Sequence, residues 1–277
     1  MAVVRTVLSG VVLVLVVAGC SSTTGDSIAT GDSITFLSLD DGDGEIFVMN
    51  ADGTQVGRLT DNDSFDGQQV WSPDGKSIAF AGDRDGDREI FVMNADGTQV
   101  RQLTDNDYDD WVPVWSPDGK SIAFTGLHDG DTEIFVMNAD GTQVRQLTDN
   151  DYDDGGPAWS PDGKSIAFAS GPPGFQEIFV MNADGTQVRQ LTDRAPGLEG
   201  EGPVWSPDGK SIAFASEHDG DKEIFVMNAD GTQVRQLTDN DENDGGPAWS
   251  PDGKSIAFGS GPPGFQEIFV MNADGTQ

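Results

Sequence analysis

The sequence predicts an all-β protein made of repeated four-stranded antiparallel sheets, and three observations support this fold class. The segment WSPDGKSIAF begins at five tryptophans spaced 44, 44, 46 and 44 residues apart. About ten residues after it, EIFVMNADGTQ recurs six times along the chain. A period of this length is typical of repeat architectures that contribute one four-stranded unit per repeat. The first segment begins at Trp71, Trp115, Trp159, Trp205 and Trp249, and the second at Glu45, Glu89, Glu133, Glu177, Glu223 and Glu267.

The repeat that begins near Gln69 shows how each strand is specified. Residues 72–75, Ser-Pro-Asp-Gly, predict a tight turn, because proline presets φ and glycine accepts positive φ. Residues 77–81 and 89–93 are apolar on both faces and predict strands covered on both sides. Residues 94–97 form a second turn of the same kind. Residues 99–104 alternate polar and apolar, which predicts a half-exposed outer strand.

Four antiparallel strands with buried middle strands are typical of blades packed face to face around an axis. We therefore predict a six-bladed β-propeller whose blades have four antiparallel strands, with one or two end blades incomplete. An open β-solenoid is the alternative, although it suits shorter repeats. The first repeat lacks its tryptophan and the last stops at Gln277, after its third strand. Either Ser27–Thr30 adds to an end blade, or the chain is a piece of a longer gene product.

The repeated motifs carry a family resemblance. WSPDGK, IAF, EIFVMNADGT and LT resemble the repeat of the TolB-type β-propellers over about residues 33–277. The resemblance implies a six-bladed propeller outside the cytoplasm, serving as a protein-interaction platform or as the gating part of a larger peptidase. Two features depart from those relatives. TolB has a separate domain before its propeller, whereas about a dozen residues separate Cys20 from the first strand of this repeat array. The propeller peptidases carry a hydrolase domain, for which this chain has no room.

The N-terminal residues have the pattern of a secretory signal. Arg5 precedes an apolar run over residues 11–18 that is too short to span a bilayer, which takes about 20 residues. The residues that end in Cys20 resemble a bacterial lipobox, and the resemblance implies cleavage before Cys20 and lipid on its sulfur. We therefore expect a signal peptide over 1–19, a lipidated tether over 20–32 and the propeller over 33–277. The expected location is a membrane surface outside the cytoplasm, in the periplasm or on the cell surface.

The charge of the chain restricts the classes of molecule that it is expected to bind. The chain has 15 basic and 48 acidic residues, for a net charge of −33. This charge excludes nucleic acid as the default partner, because phosphate backbones are bound by Lys and Arg. It favours cations, basic protein surfaces or solubility alone. Cys20 is the only cysteine, so no intramolecular disulfide forms, and we expect a monomer.

The acidic residues cluster in two kinds of connection. In a four-stranded blade, the connection between strands two and three and the connection to the next blade emerge on the same side. The repeats place aspartates in both, including Asp110, Asp153 and Asp154, so we predict one strongly negative rim. Two runs have carboxylates at every second residue, a spacing that can supply oxygen ligands to Ca²⁺. The candidate ligands are Asp83, Asp85, Asp87, Glu89, Asp105, Asp107 and Asp109. Hairpin and side-chain-to-backbone turns explain the same pattern without a metal.

Exposed aromatic residues on the same rim are candidates for partner binding, since interfaces favour aromatic side chains. They are Tyr108, Trp111, Tyr152, Phe175 and Phe265. By contrast, the tryptophan at a fixed position in each repeat is expected in the core.

Catalytic motifs are sparse. The chain has no Gly-x-Ser-x-Gly motif and no phosphate-binding glycine-rich loop. His128 and His218 occupy matching loop positions in separate repeats and are expected to be exposed. We therefore predict a non-catalytic scaffold that binds a protein or an envelope polymer. The alternatives are a calcium-binding propeller for adhesion or stability, the propeller part of a truncated hydrolase, and an enzyme with a site in the central channel.

Overall fold

The structure is a computed structural model. It describes residues 16–17, 33–39, 43–84, 86–172, 174–193, 202–218, 220–262 and 266–276. Every regular element in these ranges is a β-strand, and the strands form six antiparallel sheets in chain order. The chain divides into two compact units, residues 1–113 and 114–277.

The first unit contains sheets 1 and 2. Sheet 1 consists of β1 (Val16–Val17), β2 (Ser33–Ser38), β3 (Glu45–Asn50) and β4 (Gly57–Arg58). Sheet 2 consists of β5 (Asp66–Trp71), β6 (Ser77–Arg84), β7 (Asp87–Asn94) and β8 (Arg101–Gln102). β1 pairs with β2 through Val16 opposite Thr35 and Val17 opposite Ile34. Val16 and Val17, which the sequence analysis above assigns to the signal peptide, thus hold the first-strand position of sheet 1. Ser27–Thr30, expected to add to an end blade, lie outside the described residues.

The remaining sheets follow the same plan. Sheet 3 consists of β9 (Asp110–Trp115), β10 (Ser121–His128), β11 (Asp131–Asn138) and β12 (Arg145–Gln146). Sheet 4 consists of β13 (Asp153–Trp159), β14 (Ser165–Gly171), β15 (Glu177–Asn182) and β16 (Arg189–Gln190). Sheet 5 consists of β17 (Val204–Trp205), β18 (Ser211–His218), β19 (Asp221–Asn228) and β20 (Arg235–Gln236). Sheet 6 consists of β21 (Asp244–Trp249), β22 (Ser255–Ser260) and β23 (Glu267–Asn272).

The two predicted turns form as their residues require. Gly75 N donates to Ser72 O over 2.9 Å and Gly75 has φ +69°. In the second turn, Gly97 N donates to Asn94 O over 2.9 Å. Each turn therefore closes through local chemistry, and the strands on either side fall into antiparallel register.

The outer strand is shorter than the prediction of residues 99–104, because β8 includes only Arg101 and Gln102. Gln99 has φ +56°, which takes the chain out of the extended conformation before β8 begins. After β8, Leu103 N still donates to Ile90 O over 2.7 Å. At the next position the Thr104 side chain, instead of its backbone, accepts the hydrogen bond from Ile90 N, over 2.9 Å.

The core is built by apolar faces of successive sheets. In the first unit, Ile46 and Val48 of β3 pack with Ile78, Phe80 and Met93 of sheet 2. The second unit repeats the arrangement between its own neighbouring sheets. The third strand thus presents its isoleucine and valine to the following sheet, while the facing sheet contributes isoleucine, phenylalanine and methionine. This explains why the middle strands have no polar face.

Four of the five repeat tryptophans lie in these apolar clusters, as predicted: Trp71, Trp159, Trp205 and Trp249. Trp71 is buried, and the other four are half-buried. Trp159 Nε1 donates to Val114 O over 3.2 Å, and Trp205 Nε1 donates to Ala158 O over 3.1 Å. Each of these bonds joins one first strand to the first strand of the preceding sheet.

Candidate functional site

The two ends of each sheet differ in charge. At one end the two turns meet, since Ala95 N donates to Lys76 O over 2.9 Å. There Lys76 Nζ lies 3.2 Å from Asp74 Oδ2. The same lysine–aspartate pair closes the equivalent turn of sheets 3 to 6. We call this the turn end, and its paired charges largely cancel.

The opposite end gathers the connection between strands two and three and the connection that leaves strand four, both rich in aspartate in sheets 2 and 3, whereas sheets 4 and 6 have Gly-Pro-Pro-Gly-Phe between strands two and three. Arg88 N, at the start of β7, donates to Asp109 Oδ1 over 2.8 Å. Thr132 N donates to Asp153 Oδ1 over 3.1 Å, and Lys222 N donates to Asn243 Oδ1 over 3.0 Å. The hairpin between strands two and three is therefore tied to the connection that leaves strand four. We call these two connections together the acidic end of a sheet.

A buried glutamate organises the acidic end in sheets 1, 2, 3 and 5. In sheet 2, Glu89 is 2% exposed and opens the apolar run of β7. Thr104 Oγ1 donates to one oxygen of Glu89, and Asn106 N donates to the other over 2.7 Å. The backbone after β8 is thereby bent around a carboxylate, which fixes the start of the connection to the next sheet.

The same arrangement recurs along the chain. The threonine-to-glutamate bond is present in sheets 1 to 5. The bond from the asparagine backbone to the glutamate is present in sheets 1, 2, 3 and 5. The participating sets are Glu45, Thr60 and Asn62; Glu89, Thr104 and Asn106; Glu133, Thr148 and Asn150; Glu177 and Thr192; and Glu223, Thr238 and Asn240.

A second carboxylate is buried beside each of four glutamates. Asp110, at the start of β9, is 4% exposed, and Asn106 Nδ2 donates to its Oδ2 over 2.8 Å. Asp66, Asp154 and Asp244 hold the same position in their sheets and are fully buried. Within the described ranges, Oδ1 of Asp154 and Oδ1 of Asp244 have no hydrogen-bond partner.

Burial perturbs the acidity of these groups. It raises the pKa of Asp110 to about 7, against the lowering effect of hydrogen bonds from Asn106 and Thr104, and the neighbouring Glu89 carboxylate adds to the rise. Burial also raises the pKa of Glu89, Glu133 and Glu223, and that of Asp66 and Asp154. Since its pKa is about 7, the Asp110 carboxyl keeps its proton in a large fraction of the molecules near neutral pH.

The sequence pattern alone does not reveal this paired arrangement. Asp110 and Asp154 are predicted above on the negative rim, and the structure buries both instead. Asp110 is the first residue of β9 and Asp154 is the second residue of β13, so both already lie inside a sheet. An asparagine that recurs four residues before each aspartate was the available signal in the sequence.

The candidate calcium ligands are dispersed. Asp105 and Asp107 are exposed, Glu89 is buried in its hydrogen-bond network, and Asp109 accepts from Arg88 N. In the register of the β6–β7 hairpin, Asp83 lies opposite Arg88 and Asp87 opposite Arg84. Asp85 lies outside the described residues. In the ranges that the structure describes, no three acidic, histidine or cysteine side chains come together to hold a metal ion, and the calcium hypothesis remains a prediction.

Two of the predicted aromatic residues stand on a repeated turn. Asn106 Oδ1 accepts from Tyr108 N over 2.8 Å, and Asn150 Oδ1 accepts from Tyr152 N over 2.9 Å. The tyrosine side chains are 42% and 52% exposed. Glu242 occupies the same position in the sheet 5 connection, where its N donates to Asn240 Oδ1 over 2.8 Å. Each turn therefore presents one outward side chain, which is tyrosine in sheets 2 and 3 and glutamate in sheet 5.

The other predicted contact residues are placed differently. Phe175 is 70% exposed at the acidic end of sheet 4. Trp111 is half-buried as the second residue of β9. Phe265 lies outside the described residues, as does Cys20.

Two further features bear on chemistry. His128 is partly exposed, with its Nε2 3.6 Å from Asp129 Oδ2 and its ring edge-on to Phe135. A surface groove of about 510 Å³ at the turn end of sheet 3 contains no carboxylate or histidine in its lining. It is lined by Ser121, Val136, Met137, Asn138, Thr142, Gln143 and Arg145. Within the described ranges, no helix has the length and apolar character needed to cross a membrane.

Comparison with known proteins identifies the architecture. The model of the TolB β-propeller domain family matches residues 26–125, 105–197 and 193–277. No curated protein matches the chain. The family match and the six antiparallel sheets confirm the predicted six-bladed β-propeller, and sheet 6, with three strands, is an incomplete end blade as expected.

Similar solved structures include propellers of different kinds. TolB from Acinetobacter baumannii superposes with a TM-score of 0.70 and 23% identity, over 88% of this chain and 62% of that one. A putative TolB from Agrobacterium tumefaciens gives 0.67 and 24%, over 80% of this chain and 82% of that one. An oligogalacturonate lyase in complex with manganese gives 0.69 and 15%, over 89% of this chain and 72% of that one. The chain thus spans less than two thirds of the Acinetobacter protein, and these similarities establish the fold alone.

Proposed function

Because this chain belongs to the TolB β-propeller domain family, we propose that it is a non-catalytic binding scaffold outside the cytoplasm. A lipid on Cys20 holds it at a membrane surface. The acidic ends of its blades bind a partner protein or a polymer of the cell envelope, and Tyr108 and Tyr152 contribute to the contact.

The observation that carries this proposal is the combination of a fixed frame with a variable side chain. Glutamate, threonine and asparagine hold the connection in the same conformation in sheets 2, 3 and 5. On that frame stand Tyr108, Tyr152 and Glu242, all exposed. Residues held on a rigid scaffold with different outward side chains are typical of recognition surfaces, because the frame lowers the entropy lost on binding.

Charge supports a basic or cationic partner. The turn end pairs each aspartate of its first turn with a lysine, whereas Asp105, Asp107, Asp149 and Asp151 are exposed at the acidic ends of sheets 2 and 3. The negative potential of these aspartates accelerates association with positively charged surfaces, and it weakens as the salt concentration increases. The buried carboxylates are engaged in holding the connections, which favours a structural role over a catalytic one.

A charge-matched comparison tests the binding surface. The full chain is isolated with its bound envelope components after crosslinking, at about 50 and 300 mM salt. One variant replaces Asp105, Asp107, Asp149 and Asp151 by Asn, and the control replaces Asp52, Asp96, Asp140 and Asp184 by Asn at the turn end. The proposal expects the acidic-end variant and high salt to remove the same component, while the control retains it. Equal loss from both variants, or loss from neither, would overturn the proposal.

The lipid anchor has a separate test. Cys20→Ser is expected to move the protein from the membrane fraction to the soluble fraction, because the hydrocarbon chains supply the membrane affinity. Radiolabelled palmitate should label the unmodified chain and not the variant. If Cys20→Ser stays with the membrane, the anchor lies elsewhere.

A further inference from the structure

The connection that carries Tyr152 is held in place by one residue, Asn150. Its backbone N donates to Glu133 Oε1 over 3.0 Å, and its Nδ2 donates to Asp154 Oδ2 over 2.7 Å. Its Oδ1 accepts from Tyr152 N over 2.9 Å. Asn150 therefore links a tyrosine that is 52% exposed to two carboxyl groups that are 2% and 0% exposed. The position of the tyrosine depends on both carboxyl groups staying where they are.

One oxygen of this carboxyl pair receives no hydrogen bond. Both oxygens of Glu133 accept, one from Thr148 Oγ1 and the other from Asn150 N, and Asp154 Oδ2 accepts from Asn150 Nδ2. Within the described ranges, Asp154 Oδ1 has no partner. A buried carboxylate oxygen without a donor or a counter-ion is costly, whereas a protonated oxygen carries no charge. Asp154 Oδ1 is thus the atom at which a proton relieves the pair.

Sheet 2 shows how the chain compensates the same buried acid elsewhere. Asp66 has the position of Asp154 there, and Arg84 Nη2 lies 3.3 Å from its Oδ1 and 3.0 Å from its Oδ2. In the strand register, Arg84 is two residues after the residue opposite Asp66, and Pro172 has the same place relative to Asp154. Asp66 therefore has a permanent counter-ion from the protein, and proline offers none to Asp154.

The other elements around Asp154 also supply no positive charge. The groups that act on the pair are Glu133 and Asp131 from β11, Thr125 from β10, Ser170 from β14, and Thr148 and Asn150 from the connection. Thr125 is 2% exposed, and its unpartnered Oγ1 lies 4.0 Å from the place of a Cβ added to Gly155. In the part of the chain that the structure describes, no lysine, arginine or histidine forms an ion pair with Asp154. The pocket is therefore polar, buried and without a cation from the chain.

We propose that the Glu133–Asp154 pair is a proton-operated switch for the surface that carries Tyr152, an inference that rests on the function proposed above. With one proton on Asp154 Oδ1, Asn150 keeps its three hydrogen bonds and Tyr152 stays presented to the partner. Loss of the proton leaves two negative charges in a buried site, and the connection over residues 147–153 moves outward so that water reaches them. Partner binding through Tyr152 is therefore strongest when the pair is protonated.

The direction of the response to pH follows from burial. Burial raises the pKa of Asp154 and that of Glu133, and the neighbouring Asp154 and Asp131 carboxylates add to the rise for Glu133. Two coupled carboxyl groups release their protons in steps that belong to the pair. The presented conformation is therefore favoured at low pH, and it is lost as the pH rises through the raised pKa of the pair.

A metal ion is the other means of compensating two buried carboxylates, and the observations favour the proton. Within the described ranges, no three acidic, histidine or cysteine side chains come together to hold a metal ion. Asp154 Oδ1 is the one carboxylate oxygen of the pair without a donor, whereas Ca²⁺ takes about six to eight oxygen ligands. Added calcium is therefore one arm of the test.

Isotope labelling of tyrosine reports on the switch without a partner. The chain has two tyrosines, so labelling tyrosine with carbon-13 at the carbonyl gives two signals, which Tyr152→Phe assigns. These signals do not depend on the exchange of amide hydrogens with water. We expect the Tyr152 signal of the full chain to titrate between about pH 4 and about pH 9 in chelator, as the pair loses its proton. Because no partner is present, this result is separate from the crosslinking test of the proposed function.

A variant and its control assign the response to Asp154. Asp154→Asn keeps an oxygen for Asn150 Nδ2 and carries no charge, so the pH-dependent shift of Tyr152 should be roughly fivefold smaller, while the response of Tyr108 is unchanged. Asp151→Asn removes the same formal charge at an exposed position of the same connection and should keep the full Tyr152 titration.

Three results would overturn the proposal. They are a Tyr152 signal that does not respond to pH in the unmodified chain, an equally large response in Asp154→Asn, and an equal reduction in Asp154→Asn and Asp151→Asn. Calcium at millimolar concentration that restores the low-pH Tyr152 signal at high pH would also overturn it, because a metal ion would then compensate the pair.

Discussion

Replacing Asp110 by asparagine should stabilise the protein at alkaline pH much more than at acidic pH. The Asp110 carboxyl is 4% exposed and lies near the buried Glu89, and its pKa is raised from 3.8 to about 7. Asparagine keeps an oxygen that can accept from Asn106 Nδ2 and carries no charge. The substitution therefore removes the cost of ionising a carboxyl group in this site.

The sign of the effect follows from the direction of the pKa shift. Below pH 3.8 the carboxyl is protonated in both the folded and the unfolded chain. Between 3.8 and about 7 the unfolded chain releases its proton while the folded chain keeps it, so stability falls as pH rises. Above about 7 the folded chain also ionises and the loss levels off.

The magnitude can be worked from the same shift. Each pKa unit corresponds to about 1.4 kcal/mol, so the complete loss at pH 8 is about 4 kcal/mol, and about 1.5 kcal/mol is already lost at pH 5. Asp110→Asn should therefore gain about 2–3 kcal/mol of unfolding free energy relative to the unmodified chain between pH 5 and pH 8. For a chain of this size the gain corresponds to roughly 5–10 °C in Tm.

Circular dichroism melts of both proteins at pH 5 and pH 8, in chelator and equal salt, measure the effect. Asp107→Asn, three residues away and exposed, removes the same formal charge and should change Tm equally at both pH values. A Tm gain for Asp110→Asn that is independent of pH, or larger at pH 5, would refute the reasoning.

Two further predictions concern the network and the backbone. Thr148→Val should cost about 1–3 kcal/mol, because it leaves Ile134 N and one oxygen of Glu133 without their buried hydrogen-bond partner, while Asn150 N still donates to the other oxygen. Thr142→Val, at an exposed turn, should cost less than about 0.5 kcal/mol. Urea unfolding compares the two variants, and similar costs would contradict the network. Gly246 has φ +59°, and an added Cβ would meet nothing within 4 Å, so a side chain there costs only the backbone strain of the left-handed conformation. Gly246→Val should therefore cost about 1–2 kcal/mol, and Gly246→Asn should cost much less. Equal losses in Tm would show that another factor dominates.

The sequence predicted the repeated sheets and their turns because these depend on local chemistry. Pro73 and Gly75 specify one turn within four residues, and the apolar run of β7 specifies a strand covered on both sides. The periodicity then required successive sheets to pack on one another. The half-exposed outer strand was predicted at the right place but too long, since the left-handed conformation of Gln99 is not evident from its residue type.

Only the tertiary structure decided which carboxylates are exposed. Glu89 and Thr104 are 15 residues apart and meet because β7 and the end of β8 are neighbours, and Asp110 joins them from the next sheet. In the sequence, Asp110 resembles the adjacent Asp109, yet one is buried and the other accepts a backbone hydrogen bond at the surface. Burial depends on where strands stop and which sheet follows, and those contacts are set by packing between segments distant in the chain. The sequence by itself therefore determined a repeated, acidic, all-β array, while packing between sheets determined which of its acids hold the structure together and which are exposed at the surface.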